Sequence, residues 1–418
     1  LRKEVVIMPL SLKQLQSAVS NDAAFRRRLR LQPIGGVGDK IFPPTYPGEG
    51  RNSGPRHIFE KRRVDGKDVW TVLLDSVQSS NGRCEEALLE GIRAGEYFIP
   101  YLSVKFGGTA VSEIGEITSF EAPHRVFDAI FRDSQLDKTP LMRSPLGERL
   151  QHATAADASS IFEVSPNALL FGVWNSTGEG GGLGAKFARS FVSEIVGVGV
   201  AVGKLEDDGD PEPAGRQPGS RLDPLGILKG VEVFVPGEKG AKAADWDTTN
   251  QKGFKKVRPS EINHGNIAPS VRALGATIDY AEHVTAISFA SLRRLRFGER
   301  GRDEAARVVL AAIGLLAHLS QARLGYALRS RCDLVLDGSA APFELVHADG
   351  SVDAFDLSYA DAIRLYDEAV AAARAAGLAY SSSPTELAPQ EKLVRIVAES
   401  RALALAGKGG EAEADAGA

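Results

Sequence analysis

The apolar positions of this chain change period several times. Residues 10–31 place Leu12, Leu15, Val19 and Phe25 at helical spacing and end in the basic run Arg26, Arg27, Arg28 and Arg30, which predicts one helix with a solvated cationic end. Residues 32–56 (QPIGGVGDKIFPPTYPGEGRNSGPR) are crowded with Gly and Pro and read as an irregular surface loop. Residues 68–77 (DVWTVLLDSV) predict a strand, and residues 81–94 a helix with Ala87, Leu88 and Ile92 on one side, the first clear strand-helix unit. Beyond it, residues 97–106 and 113–117 read as extended, 123–132 (PHRVFDAIFR) as helical, 167–174 (NALLFGVW) as a short apolar strand and 190–202 as an alternating strand.

The pattern then breaks. Residues 203–269 have few apolar runs and much Gly, Pro, Lys and Asp, with a short strand near 230–235, so they read as an inserted lobe or a long flexible arm. Strand-like alternation returns over 276–289, the longest helix covers 302–328, and residues 331–347 read as strands. Helices over 358–376 and 388–406 precede a disordered tail at 407–418 (GKGGEAEADAGA). No fixed-period repeat is visible, and scattered strands without regular alternation with helices give an α+β class.

Composition narrows this little. The 418 residues are 43% hydrophobic and 25% charged, an ordinary globular balance. A formal charge of -4 excludes a histone-like polycation, yet five acids sit within 205–212 and the tail carries three more against one lysine, which leaves the remainder slightly basic. Two cysteines, Cys84 and Cys332, build no disulfide framework and no CxxC pair, which fits a reducing compartment, with the cytoplasm as default. The longest apolar run, 308–319, includes His318 and is shorter than the roughly 18–20 residues a bilayer needs, so it reads as a buried helix and no membrane partner is expected. The N-terminus (LRKEVVIMPL) lacks a signal-peptide apolar region of usual length, and Met8 is a candidate natural start.

Nucleotide and metal motifs fail on spacing. The stretch 178–186 (GEGGGLGAK) lacks the GK[ST] ending of a phosphate loop; Gly180, Gly182 and Ala185 satisfy GxGxxA, but a strand-like pattern follows where a helix should open. The seven histidines, at 57, 124, 152, 264, 283, 318 and 347, include no HxxxH or HExxH pair, and no GxSxG elbow occurs, so neither cofactor nor metal is expected. Basic and amide side chains at turns stand out instead. Residues 75–83 (DSVQSSNGR) lie where a strand gives way to a helix, so free backbone N–H groups would face an anion there, with Gln78, Ser79, Asn81 and Arg83 as donors. A plain N-cap with a solvated arginine fits the same residues. Arg51, Arg56, Lys61, Arg62 and Arg63 form a second cluster; Lys252, Lys255, Lys256 and Arg258 flank Phe254, and Arg293, Arg294 and Arg296 precede Phe297. Cations beside aromatics are what single-stranded nucleic acid uses, although any one such run is usually a solvated face.

Six blocks carry a family resemblance: GGVGDKIFPPTY (35–46), LLDSVQSSNGRCEEAL (73–88), FEAPHRVFDAIFRDS (120–134), LLFGVWNST (169–177), EINHGNIAPS (261–270) and ISFASLRRLRF (287–297). Together, in order over roughly residues 10–350, they resemble the RAMP-superfamily backbone subunit of CRISPR type I-U (I-G) Cascade effector complexes. The resemblance implies an RRM-like, ferredoxin-like RAMP palm with inserted finger and thumb elements over 1–357, the thumb at 203–269, followed by C-terminal helices over 358–406. It also implies a non-catalytic subunit that oligomerises along the spacer of a CRISPR RNA, partnered by further copies of itself, other Cascade subunits and, through the guide, a target DNA strand. Sister families set a related Ser/Gln-rich junction against the RNA backbone, which maps onto Ser76, Gln78, Ser79, Asn81 and Arg83. Lys40, His124, Arg125, His264 and Asn266 match family blocks without a defined role. The alternative is a metal-dependent ribonuclease on complementary target RNA, as in related type III subunits that use a thumb aspartate; Asp245 and Asp247 lie in the candidate thumb.

Overall fold

Ser11 opens the first helix with a reciprocal cap: its Oγ accepts from Gln14 N at 3.4 Å and its N donates to Gln14 Oε1 at 2.9 Å. This helix, α1 (Leu12–Asn21), ends ten residues before the sequence pattern predicts, and the chain continues as strand β1 (Ala24–Pro33). From residue 24 the period is two: Phe25, Leu29 and Leu31 are buried, while Arg26, Arg28 and Arg30 take the other face and pair with Glu344, Glu282 and Asp337 at 2.5, 3.0 and 3.6 Å. Arg27 hides this alternation by sharing the apolar face, its guanidinium 4.4 Å from the Phe343 ring centroid and its Nε donating to Ala341 O.

The computed structural model describes residues 10–48, 55–176, 184–203, 213–237 and 245–405, and the chain divides into two units. The first comprises Leu1–Val37, Leu74–Gly197 and Tyr280–Val394; the second comprises Gly38–Leu73, Val198–Asp279 and Arg395–Ala418. The acidic stretch 205–212, Arg51, most of the glycine run 178–186 and the tail 407–418 lie outside the described residues.

In the first unit, strands β2 (Phe191–Val198), β3 (Tyr280–Ser288), β4 (Tyr326–Arg329), β5 (Cys332–Leu336), β6 (Phe343–Val346) and β7 (Val352–Phe355) join β1, with hydrogen-bonded neighbours in the order β4-β5-β1-β3-β2. β1 runs antiparallel to β3, β5 and β6, with Phe25 opposite Ile287 and Leu31 opposite Leu336. Helices α2 (Val77–Arg93) and α3 (Arg300–Leu324) pack on each other, and α4 (Tyr359–Ala375) packs along α3. α3 is buried continuously from Ala306 to Gln321. By length and composition it could cross a membrane, but 83% of its apolar window is buried within the fold. The strand Thr385–Pro389 sits between Leu102–Lys105 and Ser134–Leu136, so residues 358–394 are woven into this unit.

The strand expected over 167–174 is a correction: Pro166–Phe171 is a helix, and only Val173–Trp174 is extended. A wholly apolar run of this length carries no period that separates a strand from a buried helix. Proline at the first helical position starts it, and Gly172, at φ +86°, stops it.

In the second unit, Phe59–Val64 and Lys67–Asp75 form a hairpin around Asp65 (φ 49°) and Gly66 (φ 77°), the two positive-φ positions a tight turn needs. The lobe expected to hold one short strand near 230–235 contains two antiparallel ribbons, Gln217–Arg221 with Ile267–Arg272 and Val233–Pro236 with Phe254–Val257. The loop over 32–56 is pinned where Ile41 and Ala276 exchange backbone hydrogen bonds of 2.9 Å. Buried His57 completes the pin, with Nδ1 3.0 Å from Pro44 O and Nε2 accepting from Gly275 N at 2.9 Å.

Candidate nucleic-acid interface

Where the strand ending at Asp75 gives way to α2, Ser76 is the N-cap and its Oγ accepts from Ser79 N at 3.3 Å. Gln78 and Ser79 stand exposed on the first turn, as an anion-facing junction requires. Asn81 points the other way: it is buried, and its Oδ1 has no hydrogen-bond partner. Arg83 also departs from the expected free donor. Its Nε donates to Asp75 Oδ2 at 3.2 Å, its Nη1 to Ala327 O at 3.3 Å and its Nη2 to Leu328 O at 2.5 Å. Arg329 approaches the same carboxylate at 3.8 Å and donates to Leu74 O at 2.7 Å. Burial raises the Asp75 pKa above its ordinary value against the pull of Ser79 and the two arginines.

A second part of the first unit gathers residues that lie far apart in sequence. Arg125, held at φ 48°, forms a two-pronged pair with buried Glu85, Nε to Oε1 at 2.7 Å and Nη2 to Oε2 at 2.6 Å, and its Nη1 donates to Gly172 O at 2.7 Å. Glu85 also accepts from Asn167 Nδ2 at 2.9 Å, yet burial still pushes its pKa up. Arg125 is therefore an internal strut. Beside it opens a cleft of about 240 Å³ lined by His124, Trp174, Lys186 and Arg189 among others, with no acidic side chain among the described residues of its wall. Those four are exposed, and Lys186 Nζ lies 5.3 Å from the Trp174 ring centroid. Sequence reading missed Trp174, Lys186 and Arg189; the usable signal was a tryptophan two residues past a helix-ending glycine, with a basic residue on each side of Phe187 and Ala188.

Arg293 is likewise internal, donating to Val19 O and Asp22 O at 2.8 Å each, where it caps the end of α1. Arg294 is exposed, but Phe297 is buried against Phe162 at 5.3 Å, so it offers no stacking face and the expected cation-aromatic cluster here is corrected. The core holds a pair the sequence did not join, His283 and His318, 5.2 Å apart. Arg27 can only donate to His318 Nε2 (3.3 Å), so His318 Nδ1 carries the proton toward Thr285 Oγ1 (3.0 Å). Ser80, Ser193 and Tyr326 complete the chain around His283. Burial drives the His283 pKa down to about 3 and that of His318 well below its usual value.

In the second unit Lys255 and Lys256 are exposed on the ribbon strand Phe254–Val257, and Lys256 pairs with exposed Glu232. Arg258 and Asn266 line a second cleft of about 240 Å³ together with Lys229. Asn266 Oδ1 accepts from Asp223 N at 2.8 Å, and the His264 ring lies 6.0 Å from half-exposed Trp246. Arg56 is bridged through its backbone to Tyr46, Lys61 lies over Trp70 at 5.0 Å, and Lys40 reaches Arg216 O. Asp247, the candidate thumb aspartate, accepts from Thr249 N and Gln251 Nε2 at 2.8 Å each, and the Thr249 contact helps hold its pKa below the ordinary value. Among the described residues no group of three or more His, Cys, Asp or Glu could hold a metal ion.

Each unit sets an exposed lysine beside an indole, Lys186 by Trp174 in the first and Lys61 by Trp70 in the second. Residues 26–202, less than half of the chain, match the family model of CRISPR-associated protein GSU0053 (Cas_GSU0053). It spans the α2 junction and the Trp174 cleft. No curated protein matches the chain.

Proposed function

We propose that this chain is a non-catalytic, CRISPR RNA-binding backbone subunit of a type I-U (I-G) Cascade complex, working in the cytoplasm and repeated along the guide spacer beside other Cascade subunits. The observation that carries the reading is the cleft that sets His124, Lys186 and Arg189 around an exposed indole, inside the segment that matches a CRISPR-associated family. Two features of the fold support it. The succession β1-α2-β2-β3-α3-β5 with spatial order β5-β1-β3-β2 is the order of an RRM-like, ferredoxin-like palm. The second unit leaves Leu222, Leu225 and Leu228 73–85% exposed, as a thumb that meets a neighbouring copy would.

A guide changes from spacer to spacer, so the protein must hold phosphate, 2′-hydroxyl and ring face, leaving sequence to base pairing with the target DNA strand. The ribonuclease alternative rests on Asp245 and Asp247, of which Asp247 has each oxygen accepting a hydrogen bond within its own turn. Titrating the full chain with unrelated single-stranded RNAs of equal length tests the proposal. Affinities within about a hundredfold of one another, falling linearly with the logarithm of salt, are expected. No binding, or cleavage of a complementary RNA in Mg²⁺ that Asp247→Asn abolishes, would overturn it.

A further inference from the structure

We infer that the cleft at Trp174 is a nucleotide-stacking site: one base of a single strand lies on the indole while the flanking phosphates meet Lys186 and Arg189. This rests on the RNA-binding reading and adds which side chains hold a ring and which hold charge. Trp174 and Lys186 are cross-strand partners in a two-residue ladder, Val173 with Phe187 and Trp174 with Lys186, which fixes them side by side. The wall opposite is set by Gly172. A Cβ there would sit 2.9 Å from Arg189 N, so only glycine lets the two backbones approach and keeps Arg189 at the rim.

The turn is held from below by the Glu85–Arg125 pair through the 2.7 Å bond to Gly172 O, so the indole's footing is rigid. Trp174 is 44% exposed, an unusual cost for so large an apolar ring unless it has a guest. Lys186 already shows the preference of that ring for a cation. With positive groups around a part-exposed indole and no carboxylate among the described residues of the wall, the fitting guest pairs a flat ring with an anion. A nucleotide in a single strand supplies both, whereas in a duplex its ring face is already stacked.

The test uses the full chain and three probes of one length: single-stranded RNA, an abasic ribose-phosphate strand and duplex RNA. Trp174→Ala is expected to weaken the base-bearing single strand about tenfold and leave the abasic strand unchanged, while Trp174→Phe restores most of the loss. Lys186→Ala with Arg189→Ala should weaken both single strands alike. In a Trp70→Phe, Trp246→Phe background, where Trp174 is the remaining tryptophan, single-stranded RNA should quench its fluorescence and duplex should not. RNA binding retained in Trp174→Ala with no difference between base-bearing and abasic strands would overturn the stacking site and leave the RNA-binding reading standing. No RNA binding by the unaltered chain would remove both, and quenching by a phosphotyrosine peptide but not by RNA would reassign the cleft to a protein partner.

Discussion

The two units use their cations in opposite ways. In the first, Arg27, Arg83, Arg125, Arg293 and Arg307 turn inward onto carbonyls, carboxylates and rings. In the second, Lys255, Lys256 and Arg258 stand on a thin ribbon with water on most sides. A guanidinium can be buried when its fork finds several acceptors at once, and a thick core of strands and helices supplies them. A two-stranded ribbon offers fewer acceptors: Lys255 and Arg258 stand exposed, while Lys256 pairs with Glu232 at the surface and Arg221 donates to His264 O and Gly265 O. In the first unit, exposed donors include the first turn of α2, Lys186 and Arg189 around Trp174, and Arg294.

The sharpest way to break this contrast is Arg125→Ala. Glu85 would lose its buried partner, and the unfolding free energy should drop by about 3–5 kcal/mol in urea titrations. A loss under about 1 kcal/mol would mean that the arginine is surface-like after all. Acid comes next. His283 and His318 are held neutral, so below about pH 6.5 the unfolded chain binds protons that the folded chain refuses. Stability is fully present above that pH and should fall on acidification by up to about 1.4 kcal/mol per pH unit for each histidine, toward pH 3 for His283. His283→Asn should flatten that slope.

Within the junction itself, Arg83→Ala should cost about 1–3 kcal/mol because it strips the buried Asp75 and two carbonyls of a donor. Gln78→Ala, on the exposed turn, should stay within about 0.5 kcal/mol and weaken RNA instead. Equal stability losses would erase the distinction between clamp and contact. The smallest change in stability belongs to the ribbon: alanine at Lys255, Lys256 and Arg258 together should leave the melting temperature near that of the parent. The same triple variant should lower the salt slope of RNA binding by about 0.7 for each phosphate it no longer neutralises.

The contrast also explains what the sequence could and could not show. The α2 junction was legible because its strand, cap and helix are local and each has its own pattern over residues 68–94. β1 was misread because Arg27 occupies an inward position and interrupts an otherwise regular alternation. Arg83 was placed at the strand-to-helix junction and Arg125 in a helical stretch without a role, but their acceptors, Leu328 O and Glu85, lie 245 and 40 residues away, and only folding reveals that the guanidinium is already engaged. Trp174 read as the end of an apolar strand, since nothing local shows that the helix before it stops at Gly172 and leaves the indole outside. Of the ribbons of residues 217–272 only the strand near 230–235 was legible; the strands Gln217–Arg221 and Ile267–Arg272 were missed because strands with few buried side chains carry almost no hydrophobic period.

The central claim is that RNA meets the exposed cations and indoles while the inward arginines only build the scaffold. Ultraviolet cross-linking of the full chain to a photoreactive single-stranded RNA, followed by peptide mapping, tests it most directly. Adducts are expected on peptides containing Gln78–Ser79, Trp174–Lys186 and Lys255–Arg258. Adducts concentrated at Arg27, Arg293 and Arg307, or none at the three exposed segments, would contradict it.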